Sequence, residues 1–177
     1  GSHRRSRPVN TLNPNPPPCP HLTSPTVAFT ADRHATCECS LDGAPCSVCS
    51  SPLEIAGPLS EAVHTFAVHG IDAGNGTFGD DATYSWTVDL TPPGAPTVSG
   101  PVTTNNPEPT WTWVSGGGGN GIYRVKLDDP DLSTGTTQVT GTTFTPSTAL
   151  SAGSHILYVQ ESDAAGNYSN SGSFSIN

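Results

Sequence analysis

Five cysteines, at 19, 37, 39, 46 and 49, are the residues in this 177-residue chain best suited to chemistry, and four of them fall within thirteen positions. Thiolates grouped this tightly serve either metal binding or disulfide formation. Cys37-Glu38-Cys39 and Cys46-Ser47-Val48-Cys49 are separated by only six residues, too few for the usual pair of zinc knuckles. Leu41-Asp42-Gly43 reads as the tip of a hairpin, which would bring the cysteines of its two arms together. Disulfides are therefore expected, and with them an oxidising compartment.

Acidic and amide side chains offer a second chemistry. Asp72 and Asn75 share one turn, Asp163 and Asn167 another, Asp128, Asp129 and Asp131 form a cluster, and Asp89 precedes a run of prolines. Calcium takes six to eight oxygens, which carboxylates, amide oxygens and loop carbonyls supply together, so calcium is the cofactor weighed for these positions. At Asp89 it would stiffen the join between two modules. The competing reading is that Asp and Asn cap turns by bonding their own backbone, and it is favoured at every one of these places. Trp86, Trp111, Trp113 and Tyr123 are candidates for an aromatic platform stacking on sugars, but their alternation with polar residues predicts core positions. The glycines at 116–119 and 121 lack the lysine and following helix of a phosphate loop and read as a flexible strand connection. Lys126, the one lysine, alternates with Val125 and Leu127 and is expected to face solvent, away from any crosslinking partner. No serine lies in a nucleophile-elbow sequence, and His64 and His155 recur at matched strand starts, which suggests a role in the fold. No enzymatic activity is predicted.

The elements that must position these residues are strands. Hydrophobic residues make up 33% of the chain, Gly and Pro number 19 and 18, and no segment repeats apolar residues at helical spacing over three turns. The net charge is −9, so there is no basic patch to bind nucleic acid, and no apolar run approaches the roughly 20 residues needed to span a bilayer.

The second half of the chain repeats the first. Thr26-Val27-Ala28-Phe29 matches Thr110-Trp111-Thr112-Trp113 at an offset of 84, and Leu41-Asp42 matches Leu127-Asp128 at 86. His64-Thr65-Phe66-Ala67-Val68 matches His155-Ile156-Leu157-Tyr158-Val159 at 91, and Trp86-Thr87-Val88 matches Phe174-Ser175-Ile176 at 88. Units of this length suit a seven-stranded sandwich. Strands are expected near 26–31, 36–41, 45–49, 53–56, 63–71 and 83–89, and again near 97–99, 109–114, 122–127, 137–139, 142–145, 154–162 and 172–176. Gly1-Ser2-His3 resembles a tag remnant, and the prolines at 14, 16, 17, 18 and 20 make residues up to 20 an extended spacer without a ladder. The first domain is placed at 21–91 and the second at 92–177, joined by a short Pro-rich linker around Pro92, Pro93 and Pro96 that predicts a stiff tandem. Since Asn177 is the counterpart of Asp89, further modules are expected to follow.

Cys39-Ser40-Leu41-Asp42-Gly43, Cys49-Ser50-Ser51-Pro52, His64 to Val68 and Tyr84 to Asp89 resemble the immunoglobulin-like, fibronectin type III-like repeats of large secreted or surface adhesin-type bacterial proteins. Pro109 to Trp113, Tyr123 to Asp129 and Asp163 to Asn167 are similar to a neighbouring type of the same repeats. The resemblance implies an all-β fold of two tandem sandwiches and a bridge from Cys39 to Cys49. Cys37 and Cys46 stand where such repeats carry aromatics, and a second bridge between them would replace an aromatic contact; Cys19 is then left over. The implied role is a structural or adhesive tandem, extracellular or at the bacterial surface, with neighbouring domains of the same chain and a cell-surface glycan or protein as partners. The alternative is an accessory carbohydrate-binding region of a secreted hydrolase.

Overall fold

The computed structural model describes residues 11–12, 23–31 and 35–177, and every regular element among them is a β-strand. The strands are β1 (Thr11–Leu12), β2 (Thr26–Val27), β3 (Phe29–Thr30), β4 (Ala35–Leu41), β5 (Ser47–Cys49), β6 (Leu53–Glu54), β7 (Val63–Asp72) and β8 (Ala82–Thr87), then β9 (Thr97–Ser99), β10 (Trp111–Val114), β11 (Ile122–Leu127), β12 (Thr137–Val139), β13 (Thr143–Phe144), β14 (His155–Ser162) and β15 (Gly172–Ile176). Two compact units meet between Leu90 and Thr91.

The second unit is a seven-stranded sandwich. A sheet in the order β13-β10-β9 packs over one in the order β12-β11-β14-β15, all antiparallel. Strict alternation drives this arrangement: Trp111 and Trp113 of β10, Tyr123 and Val125 of β11, and Leu157 and Val159 of β14 point inward at a period of two. Trp111 also ties the sheets together, since its indole N–H donates across the core to the Phe174 carbonyl at 3.0 Å.

The first unit repeats the plan. Its four-stranded sheet runs β5-β4-β7-β8, and β2 pairs with β6 as β10 pairs with β13. Its core of Val27, Phe29, Cys39, Phe66, Val68 and Val88 occupies the matched positions of Trp111, Trp113, Val125, Leu157, Val159 and Ile176. The strand expected at 26–31 divides at Ala28. There the Phe29 N–H turns to the Ser51 hydroxyl, and β3 takes a different partner from β2.

That partner corrects the expectation of a ladder-free spacer up to residue 20. Leu12 pairs with Phe29 as Val98 pairs with Trp113, so Thr11–Leu12 supplies the first strand of the first sandwich. Both residues precede the prolines and keep the N–H donors that a ladder needs.

Candidate functional site

The feature built most alike in the two units is a clasp between an aspartate at the end of one strand and a histidine at the start of another. Asp42 follows β4 and Asp128 follows β11, and both adopt left-handed backbone angles, with φ of 53° and 60°. Asp tolerates that conformation when its short side chain finds local bonds. Here the Asp42 carboxylate accepts from the Thr65 N–H at 2.8 Å and from His64 Nδ1 at 2.7 Å. Asp128 accepts from the Ile156 N–H at 2.7 Å and from His155 Nδ1 at 2.6 Å. The far nitrogen, Nε2, donates to the Ser60 carbonyl at 2.9 Å in one unit and the Ser151 carbonyl at 3.0 Å in the other.

Both nitrogens of each ring therefore face groups that only accept, so each ring satisfies them as an imidazolium. Asp42 lifts His64 above the ordinary imidazole range, with the Ser60 carbonyl adding to it, and His64 in turn holds Asp42 low. Asp128 lifts His155 in the same way. The clasp joins strand ends; neither ring has a nucleophile as a bonded partner.

Most of the acidic positions weighed for calcium accept bonds from the chain's own donors. Lys126 Nζ reaches Asp129 Oδ2 at 2.7 Å, the Asp131 carbonyl at 2.7 Å and the Thr134 carbonyl at 2.8 Å, using all three ammonium hydrogens. The side chain leaves the sheet on the outward face, as alternation requires, but residues 129–134 fold around its tip and it does not project freely into solvent. An internal cation thus takes the oxygens a calcium ion would need. Lys126 holds the Asp129 carboxyl low, and the Ser133 hydroxyl and N–H do so for Asp131.

The paired turns behave similarly. Asp72 accepts from the Gly74 N–H and Asn75 from the Thr77 N–H. Burial works against the Asp163 charge, but bonds from Asn167 and then from the Gly166 and Ala165 backbone outweigh it and hold the pKa low. Asp89 is half-buried and partnered. Among the described residues no group of three or more His, Cys, Asp and Glu is placed to hold a metal ion.

A buried carboxylate that the sequence reading passed over lies in the second unit. Glu161, 1% exposed, continues the inward series Leu157, Val159. Ser115 Oγ donates to it at 2.5 Å and the Gly121 N–H at 3.2 Å. Burial, then the Glu161 charge, pushes the facing Tyr123 hydroxyl up. Of the glycines read as a flexible connection, which are mostly exposed, Gly121 donates to this carboxylate and Gly119 lies against it. A Cβ at Gly119 would collide with the Glu161 carboxylate, and one at Gly116 with the backbone of Gly94.

In the first unit Cys39 and Cys49 form a disulfide with Cα atoms 5.9 Å apart. The bridge weighed between Cys37 and Cys46 is not formed, and both carry free thiols. The ladder places Cys37 opposite Cys49, whereas Cys46 precedes β5 in line with Ser40, three positions along and on the other face of the pleat. Cys19 lies outside the described residues. The tryptophans make no platform: Trp111, Trp113 and Trp86 are 0%, 3% and 9% exposed.

No family model and no curated protein matches the chain. Among solved structures it is similar to the fibronectin(III)-like modules of Clostridium thermocellum CbhA, with a TM-score of 0.53 and 13% identity over 95% of this chain and 93% of that one. It is also similar to a structure from a 1.5-MDa bacterial ice-binding adhesin, with a TM-score of 0.52 and 16% identity over 97% of this chain. Domains A168–A170 of titin match 87% of the chain at 13% identity and a TM-score of 0.48. The chain spans 66% of the adhesin structure and 56% of the titin one. Every regular element among the described residues is a strand, and the chain has a fibronectin type III-like, immunoglobulin-like fold in two tandem units.

Proposed function

We propose that this tandem is a non-catalytic structural part of an extracellular bacterial protein, which spaces or presents other parts of that protein at the cell surface and so serves adhesion. The observation that carries the reading is that the residues best suited to ligand chemistry are spent on the fold. The tryptophans lie in the cores, His64 and His155 close strand ends with Asp42 and Asp128, and the one lysine neutralises a loop. The likeness to modules of CbhA and of a bacterial adhesin supports a place within a larger chain.

The carbohydrate-binding alternative needs exposed aromatics side by side. Phe78 and Tyr168, the exposed large aromatics among the described residues, lie in different units. Phe78 packs edge-on against His69, and Tyr168 lies under the Arg124 guanidinium. A glycan array probed with the chain is expected to stay blank. Strong hits abolished by Phe78→Ala or Tyr168→Ala would replace the spacer reading with a carbohydrate-binding one.

A further inference from the structure

We propose that Cys37, Cys39 and Cys49 form a thiol–disulfide exchange site in the first module, across which the bridge moves between Cys39–Cys49 and Cys37–Cys49. Cys37 and Cys39 are two residues apart on β4 and share a face, and all three cysteines pack against the same core cluster. In the ladder Cys37 is directly opposite Cys49, and Cys39 is opposite Ser47, so the bridge that is formed runs diagonally. Directly opposed residues of an antiparallel pair have Cα atoms about 4.5–5.5 Å apart, inside the roughly 4.4–6.8 Å that a disulfide accepts. The diagonal pair, at 5.9 Å, meets the same condition. One sulfur, that of Cys49, thus has two partners that geometry permits, and one of them is a free thiol.

The step is redox-neutral. The Cys37 thiolate attacks Cys49 Sγ, the Cys37–Cys49 bond forms as the Cys39–Cys49 bond breaks, and the electron pair leaves on Cys39 Sγ. That sulfur takes up the proton Cys37 gave to solvent. On the neighbouring strands Cys37 faces Cys49 and Gly70, and the nearest charged side chain on that face of the ladder is Asp72, opposite Ala35. Burial raises the Cys37 thiol, so the attacking thiolate is scarce at neutral pH and grows about tenfold per pH unit below the thiol pKa. The alternation that aligns Cys46 with Ser40 keeps it out of the exchange.

The test holds the oxidised chain at pH 7, 8 and 9, quenches with acid, alkylates free thiols and maps the peptides without reduction. Exchange predicts alkylated Cys39 together with a Cys37–Cys49 peptide, both appearing about tenfold faster per pH unit. In Cys39→Ser the bridge is expected at Cys37–Cys49, with a Tm closer to wild type than to Cys49→Ser. The proposal is overturned if Cys39 stays protected at every pH, if it is released without a Cys37–Cys49 link, or if Cys39→Ser leaves Cys49 free or bonded to Cys46 or Cys19. The wild-type map decides the matter even where a variant fails to fold.

Discussion

At one matched position the two modules solve the same packing problem with different chemistry. Where β11 meets β14 in the second, Tyr123 stands opposite Glu161, and the buried carboxylate collects the Ser115 hydroxyl and the Gly121 N–H. The corresponding pair in the first is Cys37 opposite Gly70, beside the Cys39–Cys49 bridge. A ring and an acid fill the sandwich end in one copy; a small residue leaves room beside a covalent staple in the other. The core positions and the Asp–His clasp stay constant between copies. The scaffold is therefore set by alternation and the clasp, and the means of holding each sandwich shut is interchangeable.

The largest effect that bears on this contrast is expected from the tryptophan core. Trp111→Ala removes a fully buried ring and its bond to Phe174, for a loss of about 3–5 kcal/mol from the second module by chemical denaturation. Val27→Ala, at the matched place, is expected to cost the first module about 1.5–3 kcal/mol. Equal losses would mean that the second module does not depend on its aromatics. Next comes Glu161→Leu, which strands buried donors and is expected to cost about 2–3 kcal/mol, again in the second module alone. An unchanged unfolding midpoint would remove the carboxylate from the account.

The smallest effect is the pH dependence of the clasps. Because His64 and His155 are raised in the folded state, their contribution is complete below the unfolded imidazole pKa of about 6.5 and is lost as pH rises through the raised values. Asp42 is lowered, so its share is complete above about pH 4 and is lost only as pH falls through the lowered value. Tm should therefore decline from pH 6 to 9. The first module should decline more, since the His64 side chain is 6% exposed and that of His155 17%. His64→Gln should flatten the first decline and leave the second; a Tm that rises with pH would contradict the imidazolium assignment.

Much of this was legible because strand periodicity is a local signal. The inward series through Phe66 and Val68, or Trp111 and Trp113, places the core without knowledge of partners, and the recurrence of His64 and His155 at matched strand starts marks a role in the fold, though not the aspartates that they bond. What alternation could not reveal was the direction of long side chains and the company of buried acids. Lys126 does leave the outward face, but the loop after β11 folds over it, which no period of two encodes. Glu161 occupies an inward position that the pattern reserves for apolar residues, and only the glycine loop that covers it shows why an acid sits there. The missing first strand of the first module went unread because Thr11 and Leu12 adjoin prolines that dominate their segment.

Calorimetry of the oxidised and the reduced chain tests most directly the claim that one scaffold is held by two different means. The bridge closes a loop between residues ten apart, and opening it is expected to cost the first module about 3 kcal/mol. For a sandwich of this size that corresponds to a fall of roughly 12–24 °C in one transition, with the second unmoved. Two transitions that shift together, or neither shifting on reduction, would contradict the account.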